Sequence, residues 1–223
     1  AALARKFRMN IIPNVMLNEG GRWFNSALVF GPKGQLLGRY DKTHLPPGEE
    51  TMVQAGTRIA PVETAAGKLG ILVCYDINFP EVTRCLELEG AELLLWTTMR
   101  QAENEEGLYR AGLPGRALMH GLPLGVATYV TEDQQLSRNP MTSILYNCFG
   151  QVAAGGRCDE GVVVGEIDLT QRPLERRSWD NPEWVNSPSF LRRQRRPEIY
   201  GAVVRTLTAE ERALDGEETV RPG

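Results

Sequence analysis

The stretch "GKLGILVCYDINFPEVTRCLELEGAELLLW", Gly67–Trp96, decides the fold. Leu69–Val73 is a short apolar run rich in branched residues, the pattern of a strand covered on both faces. Pro80 suits the first position of a helix, where its missing N–H would have no partner anyway. Val82, Cys85, Leu86 and Glu89 then recur at helical spacing, which puts Cys85 on an apolar stripe, and Gly90 supplies a left-handed stop. Glu92–Trp96 reads as the next strand. The unit is strand, turn, helix, strand, and Cys74 ends its first strand, where open α/β sheets place their chemistry.

Outward from this unit the pattern repeats. "NSALVFGPKGQLLGRY" is two strand-like runs around the turn residues Gly31, Pro32, Lys33 and Gly34, and "RIAPVETAAGKLGILV" is a second hairpin around Ala65–Lys68. Met9–Leu17 reads as a strand with an irregularity at Pro13. A helix-permitting stretch, Gln101–His120, is interrupted at Gly112–Gly115, and "LGVATYV" returns as a strand. "TSILYNCFGQVAAG", turning near Phe149 and Gly150, and "EGVVVGEIDL" supply two further strand regions. Strand pairs alternating with helices predict an α/β fold of layered sheets and helices. The reading places one domain over residues 1–185 and a polar, proline-containing arm and tail over 186–223.

Composition narrows the function classes. The chain has 223 residues, 42% of them apolar, and a formal charge of −3, which points to neither a polyanion nor an anionic membrane surface as partner. No apolar run approaches the roughly 20 residues of a membrane span. The one dense basic run, Arg192–Arg196, reads as a solvated or subunit-facing arm, with no nucleic-acid motif beside it. Cys74, Cys85, Cys148 and Cys158 show no C-x-x-C spacing and read as reduced thiols of a cytoplasmic protein. His44 and His120 are the only histidines, so no metal or other cofactor is expected.

Chemistry concentrates in two places. Cys74 sits where the chain turns, so its thiol and the N–H groups after it lie at an edge, as in a strand-to-helix nucleophile turn whose amides receive an oxyanion. The bland reading is a small core residue, as for Cys85. "YDKTHLPPGEE" brings Lys42, His44, Glu49 and Glu50 into one short stretch, either a charged loop or the partners a nucleophilic thiol needs.

Together these segments resemble the nitrilase, or carbon–nitrogen hydrolase, superfamily. "GRYDKTHL" is similar to the family's catalytic-lysine segment, "GILVCYDINFPEVTRCLELEGAELLL" to its nucleophile segment, "RALMHG" to the helix motif after it, and "FLRRQRRPEIYG" to its carboxyl-terminal ending. The resemblance implies a four-layer α-β-β-α sandwich and a Glu-Lys-Cys triad with a second glutamate. Cys74 would be the nucleophile, Lys42 the lysine, and Glu49, with Glu50 close behind, the second glutamate, a few residues before the turn at Gly56. The Tyr75 backbone N–H would share the oxyanion with Lys42. Asp76, Pro80, Glu81 and Arg84 would form a turn, a helix start and an ion pair, with His44 as an alternative base.

The family's first glutamate, the general base, belongs upstream of the asparagine matched by Asn25, and no segment here matches it. Glu19, in "LNEGGR", is not a candidate. The expectation is a domain that is N-terminally incomplete by roughly 60 to 70 residues, or one that has lost its base. Thr97, Thr98 and Met99, with Arg100 and the 129–140 loop, would line the substrate. The motif Cys-Tyr-Asp favours a small amide or ureide over a nitrile, hydrolysed through a thioester. An N-acyltransferase or a non-catalytic binding or scaffold protein is the alternative, and homodimers or higher oligomers are implied.

Overall fold

Alternation of buried and exposed residues along the strands sorts the chain into two principal sheets. The structure, a computed structural model, describes residues 1–99, 107, 111–128, 143–155 and 161–208. After helix α1 (Ala2–Phe7), an antiparallel sheet forms from β1 (Asn14–Glu19), β2 (Arg22–Phe30) and β3 (Leu36–Asp41), in that spatial order. The irregularity at Pro13 is where β1 begins: Ile11 makes an isolated bridge to Phe30, and the strand proper starts at Asn14. Proline has no N–H for the ladder, so regular pairing starts after it.

The second sheet has six strands in the order β4 (Val62–Thr64), β5 (Gly67–Val73), β6 (Leu93–Thr98), β7 (Leu124–Thr128), β8 (Ile144–Tyr146) and β9 (Val152–Gly155). β5, β6 and β7 are parallel. α2 (Pro80–Leu88) makes the first crossover, and α3 (Leu113–His120) precedes β7. Parallel neighbours require such crossovers, and both faces of these strands are then covered.

Two apolar clusters follow from the period of two. Leu69, Ile71 and Val73 of β5 pack with Ala27, Val29 and Tyr40 of the first sheet. Leu72 points the other way, and with Leu94, Trp96, Leu124 and Val126 meets Val82, Leu86, Leu113 and Ala117 of the helices. Gly38 and Gly70 mark close approaches: a Cβ at Gly38 would fall 2.7 Å from Val62, and one at Gly70 3.0 Å from Leu94.

Four expectations are corrected. The buried face of α2 is Val82, Thr83, Leu86 and Glu87, and Cys85 is exposed. The helix is rotated from the expected stripe because Glu87, 1% exposed, is neutralised by Arg84 and Arg192 and so enters the interior. Arg84 accordingly pairs with Glu87 at 2.7 Å instead of Glu81.

α3 runs through Pro114 and Gly115, since proline is tolerated in the first turn. Residues 161–168 form no strand, and Val162 and Val164 stand 89% and 83% exposed. Cys158 and residues 129–140 lie outside the described residues.

After β9 come a two-stranded ribbon, β10 (Leu174–Arg176) with β11 (Trp184–Asn186), and helix α4 (Ser187–Arg193), which opens the stretch expected as the arm. Asn186 caps α4 by accepting from the Ser189 N–H. Within the basic run, Arg192 is turned onto its own chain: Nε donates to Glu87 Oε1 at 3.0 Å and Nη2 to the Glu87 carbonyl at 3.0 Å.

Candidate active site

The carboxyl ends of β5 and β6 lie side by side, Val73 opposite Thr97. β5 leads directly into a 3₁₀ turn, Cys74–Asn78, and Pro80 then opens α2. Cys74 carries a φ of 47°, in the left-handed region that side chains rarely enter. Such a conformation costs about 1 to 2 kcal/mol and persists only where neighbours fix it. Here the Trp96 indole N–H donates to the Cys74 carbonyl at 2.9 Å, and the Val73 N–H donates to Asp76 Oδ2 at 3.0 Å. The thiol is half-buried at the end of a strand that is buried from Leu69 to Val73.

Lys42 follows β3 on the first sheet. Its backbone is held on both sides, N–H to the Asn25 carbonyl at 2.9 Å and carbonyl from the Gly56 N–H at 2.8 Å. The side chain is 2% exposed and pairs with Glu49. Asn25 Nδ2 donates to the other Glu49 oxygen at 3.0 Å, and Asn14 donates to Asn25 at 2.9 Å. Asn25 thus anchors Glu49, and Glu49 anchors the ammonium. Glu50, its neighbour in the same 3₁₀ turn, is exposed, which separates the two candidates.

The Lys42 segment and the Cys74 turn are tied together at Asp76, which is fully buried and accepts from Tyr40, Thr43 and His44 as well as from Val73. His44 Nδ1 faces Asp76 Oδ1 at 3.2 Å, and its ring stacks on Phe79 with centroids 3.8 Å apart. These contacts fix the His44 ring against the turn. Burial and the Asp76 charge push the Tyr40 phenol well above its usual range, so it acts as a neutral donor.

Among the residues expected to line the substrate, Thr98 is 6% exposed, Thr97 is half-buried and Met99 is 68% exposed. Asp76 as a bridge between two sheets was not legible in the sequence: a Cys-x-Asp turn signals a local cap, and nothing in the spacing announces partners more than thirty residues away. Glu87 was likewise missed, because a glutamate on a helix reads as solvated.

A profile of the carbon–nitrogen hydrolase family matches residues 1–173. The chain belongs to that family. It is 32% identical over 182 residues to a probable nitrilase of Schizosaccharomyces pombe, covering 78% of this chain and 65% of that protein. It is 26% identical over 231 residues to the N-carbamoylputrescine amidase of Solanum tuberosum, covering 95% and 71%. Among solved structures, a carbon–nitrogen hydrolase of Helicobacter pylori superposes with a TM-score of 0.74 at 26% identity, covering 92% of this chain and 74% of that one. The chain therefore spans just under two thirds of the length of the yeast relative.

Proposed function

We propose that this chain carries the nucleophile and the oxyanion lysine of a hydrolase acting on the C–N bond of a small amide or N-carbamoyl compound. The observation that carries the reading is the pair of constrained groups: Cys74 at φ 47° on the strand-to-helix turn, and a buried Lys42 held by Glu49. A strained, over-determined cysteine is the feature expected of a nucleophile and not of a core thiol. Amidase and carbamoyl amidase relatives, and the Cys-Tyr-Asp sequence, favour amides over nitriles.

In this mechanism the Cys74 sulfur attacks the carbonyl carbon, and the thiol proton passes to a general base. The resemblance assigns that base to a glutamate upstream of Asn25, for which this sequence has no match. Lys42 and the Tyr75 N–H stabilise the oxyanion, each such donor contributing about 2.7 to 4 kcal/mol. The tetrahedral adduct collapses to a Cys74 thioester with loss of ammonia or an amine, and water then releases the acid. Glu49 keeps the Lys42 ammonium aimed at the oxyanion. Thr97, Thr98 and Met99 line the acyl side, no cofactor takes part, and a second copy of the chain completes a homo-oligomer.

Ammonia release from a panel of short aliphatic amides and N-carbamoyl amines, measured with a base-bearing segment supplied upstream of Ala1 and compared between the unsubstituted protein and Cys74→Ser, tests the reading. Turnover on at least one class, lost by more than about 100-fold in Cys74→Ser, is expected. Turnover that survives the substitution would remove Cys74 from the chemistry.

A further inference from the structure

The Asp76 carboxylate has more partners than a turn needs. Capping the Cys74–Asn78 turn uses one contact, from the Val73 N–H to Oδ2 at 3.0 Å. The other contacts all reach across to the first sheet. Tyr40 O–H donates to Oδ2 at 2.8 Å, Thr43 O–H and the His44 N–H donate to Oδ1 at 3.0 and 2.9 Å, and His44 Nδ1 faces Oδ1 at 3.2 Å. Tyr40, Thr43 and His44 bracket Lys42 in sequence. Val73 immediately precedes Cys74. One carboxylate therefore joins residues on both sides of the lysine to the backbone beside the thiol.

We propose that Asp76 is a positioning residue, a clasp that holds the Lys42 ammonium in register with the Cys74 sulfur. The inference rests on the reading of Cys74 and Lys42 as the reacting pair. A buried carboxylate is costly unless every lone pair is engaged, so the clasp is all-or-none: loosening one partner exposes the others to the same penalty. Its surroundings are dry, with the Asp76 side chain fully buried and Phe79 stacked over His44. Thr43 Oγ1 also lies 3.1 Å from the Tyr40 hydroxyl and 2.9 Å from His44 Nδ1, which makes the clasp one connected network. A lysine side chain is long and flexible, and its reach is set by where its Cα is held. Misplacement by about 1 Å in such a pair costs on the order of 100-fold in rate.

The test uses Tyr40→Phe and Thr43→Val, singly and combined, which remove hydroxyls with little change in volume and leave the Val73 contact in place. The readout is the second-order rate of Cys74 alkylation by iodoacetamide at fixed pH, followed by peptide mapping of the intact 223-residue chain, with a thermal melt alongside. The double variant is expected to slow alkylation about 5- to 10-fold, and each single variant about 2- to 3-fold, as in coupled networks.

In a Lys42→Gln background the same changes should have no further effect, because the clasp acts through the lysine. Equal slowing in both backgrounds, or a lowered melting temperature with alkylation within twofold of wild type, would overturn the positioning role while leaving the catalytic pair intact. A Lys42→Gln chain that alkylates at the wild-type rate would instead sink the pair, and the clasp with it. Should the double variant fail to fold, the single variants in the two backgrounds decide the matter.

Discussion

Replacing Gly56 by alanine should damage both stability and catalysis, although glycine's conformational freedom is not what the site uses. A Cβ built at Gly56 would lie 2.2 Å from the Asp41 carbonyl oxygen and 2.9 Å from its carbon, and both are backbone atoms. Ordinary contact begins near 3.4 Å, so the loop or the end of β3 must move by about an ångström. The same glycine donates its N–H to the Lys42 carbonyl at 2.8 Å, so the movement falls on the residue after Asp41, the lysine itself.

Overpacking of this kind costs about 1 to 3 kcal/mol, which for a chain of this length lowers Tm by roughly 3 to 10 °C. The opposite sign is a real competitor. Where the new methyl fits, Gly→Ala stabilises by about 0.4 to 1 kcal/mol by restricting the unfolded chain. Differential scanning calorimetry together with steady-state amide turnover separates the two. The expected result is a lower Tm with kcat reduced at least about tenfold and KM changed less, since Lys42, the proposed oxyanion donor, is displaced more than the proposed substrate-lining residues. A Tm at or above the wild-type value with kcat within twofold would refute the reasoning.

Cys85→Ala should change stability by less than about 0.5 kcal/mol in a denaturant titration, because the side chain is exposed. A larger loss would mean that α2 packs on its Cys85 face. Arg192→Ala should loosen the C-terminal arm, with faster amide hydrogen exchange over residues 187–193 and a stability loss of about 1 to 2 kcal/mol, since Glu87 keeps Arg84 but loses its second cation. Unchanged exchange there would show that the arm is held by other contacts.

Gly121→Ala should have a similar effect on the arm, as its Cβ would fall 2.2 Å from Pro188 in α4. His120 should make stability depend on pH. Burial, then the Arg84 charge, push its imidazole down to about 4, against an opposite effect of Glu87 and with a smaller contribution from Arg116. The unfolded chain therefore binds the extra proton between about pH 4 and 6.5, so this stabilisation is complete above 6.5 and is lost on acidification, by an amount on the order of 3 kcal/mol. His120→Asn should flatten that limb of the stability profile, and an unaltered limb would rule the histidine out.

Most of the fold was legible because strands and turns announce themselves locally. Leu69–Val73, the Gly31–Gly34 turn and Pro80 at a helix start each follow from one short window, and the order of the lysine and nucleophile segments gave the family. What was not legible depends on partners distant in sequence. Cys85 and Glu87 exchange places because Arg192, 105 residues after Glu87, supplies the charge that lets a carboxylate be buried. Val162 and Val164 alternate as a strand would, but strand formation needs a neighbour and the pattern does not say whether one exists.

At the site, Cys74 stood out by its place at the end of a strand, whereas Lys42 and the choice of Glu49 over Glu50 came through the family resemblance. Asn25 as the anchor of Glu49 and Asp76 as the link between sheets emerge only when the strands are placed in space.

The central claim, that Cys74 forms the covalent intermediate, is tested most directly by acid-quenching the protein during turnover of a short aliphatic amide and locating the acyl adduct by peptide mapping. The account predicts a hydroxylamine-sensitive acyl group on Cys74 alone, even though Cys85 is the more exposed thiol. An adduct on Cys85 or Cys148, or amide turnover that persists in Cys74→Ala, would contradict it.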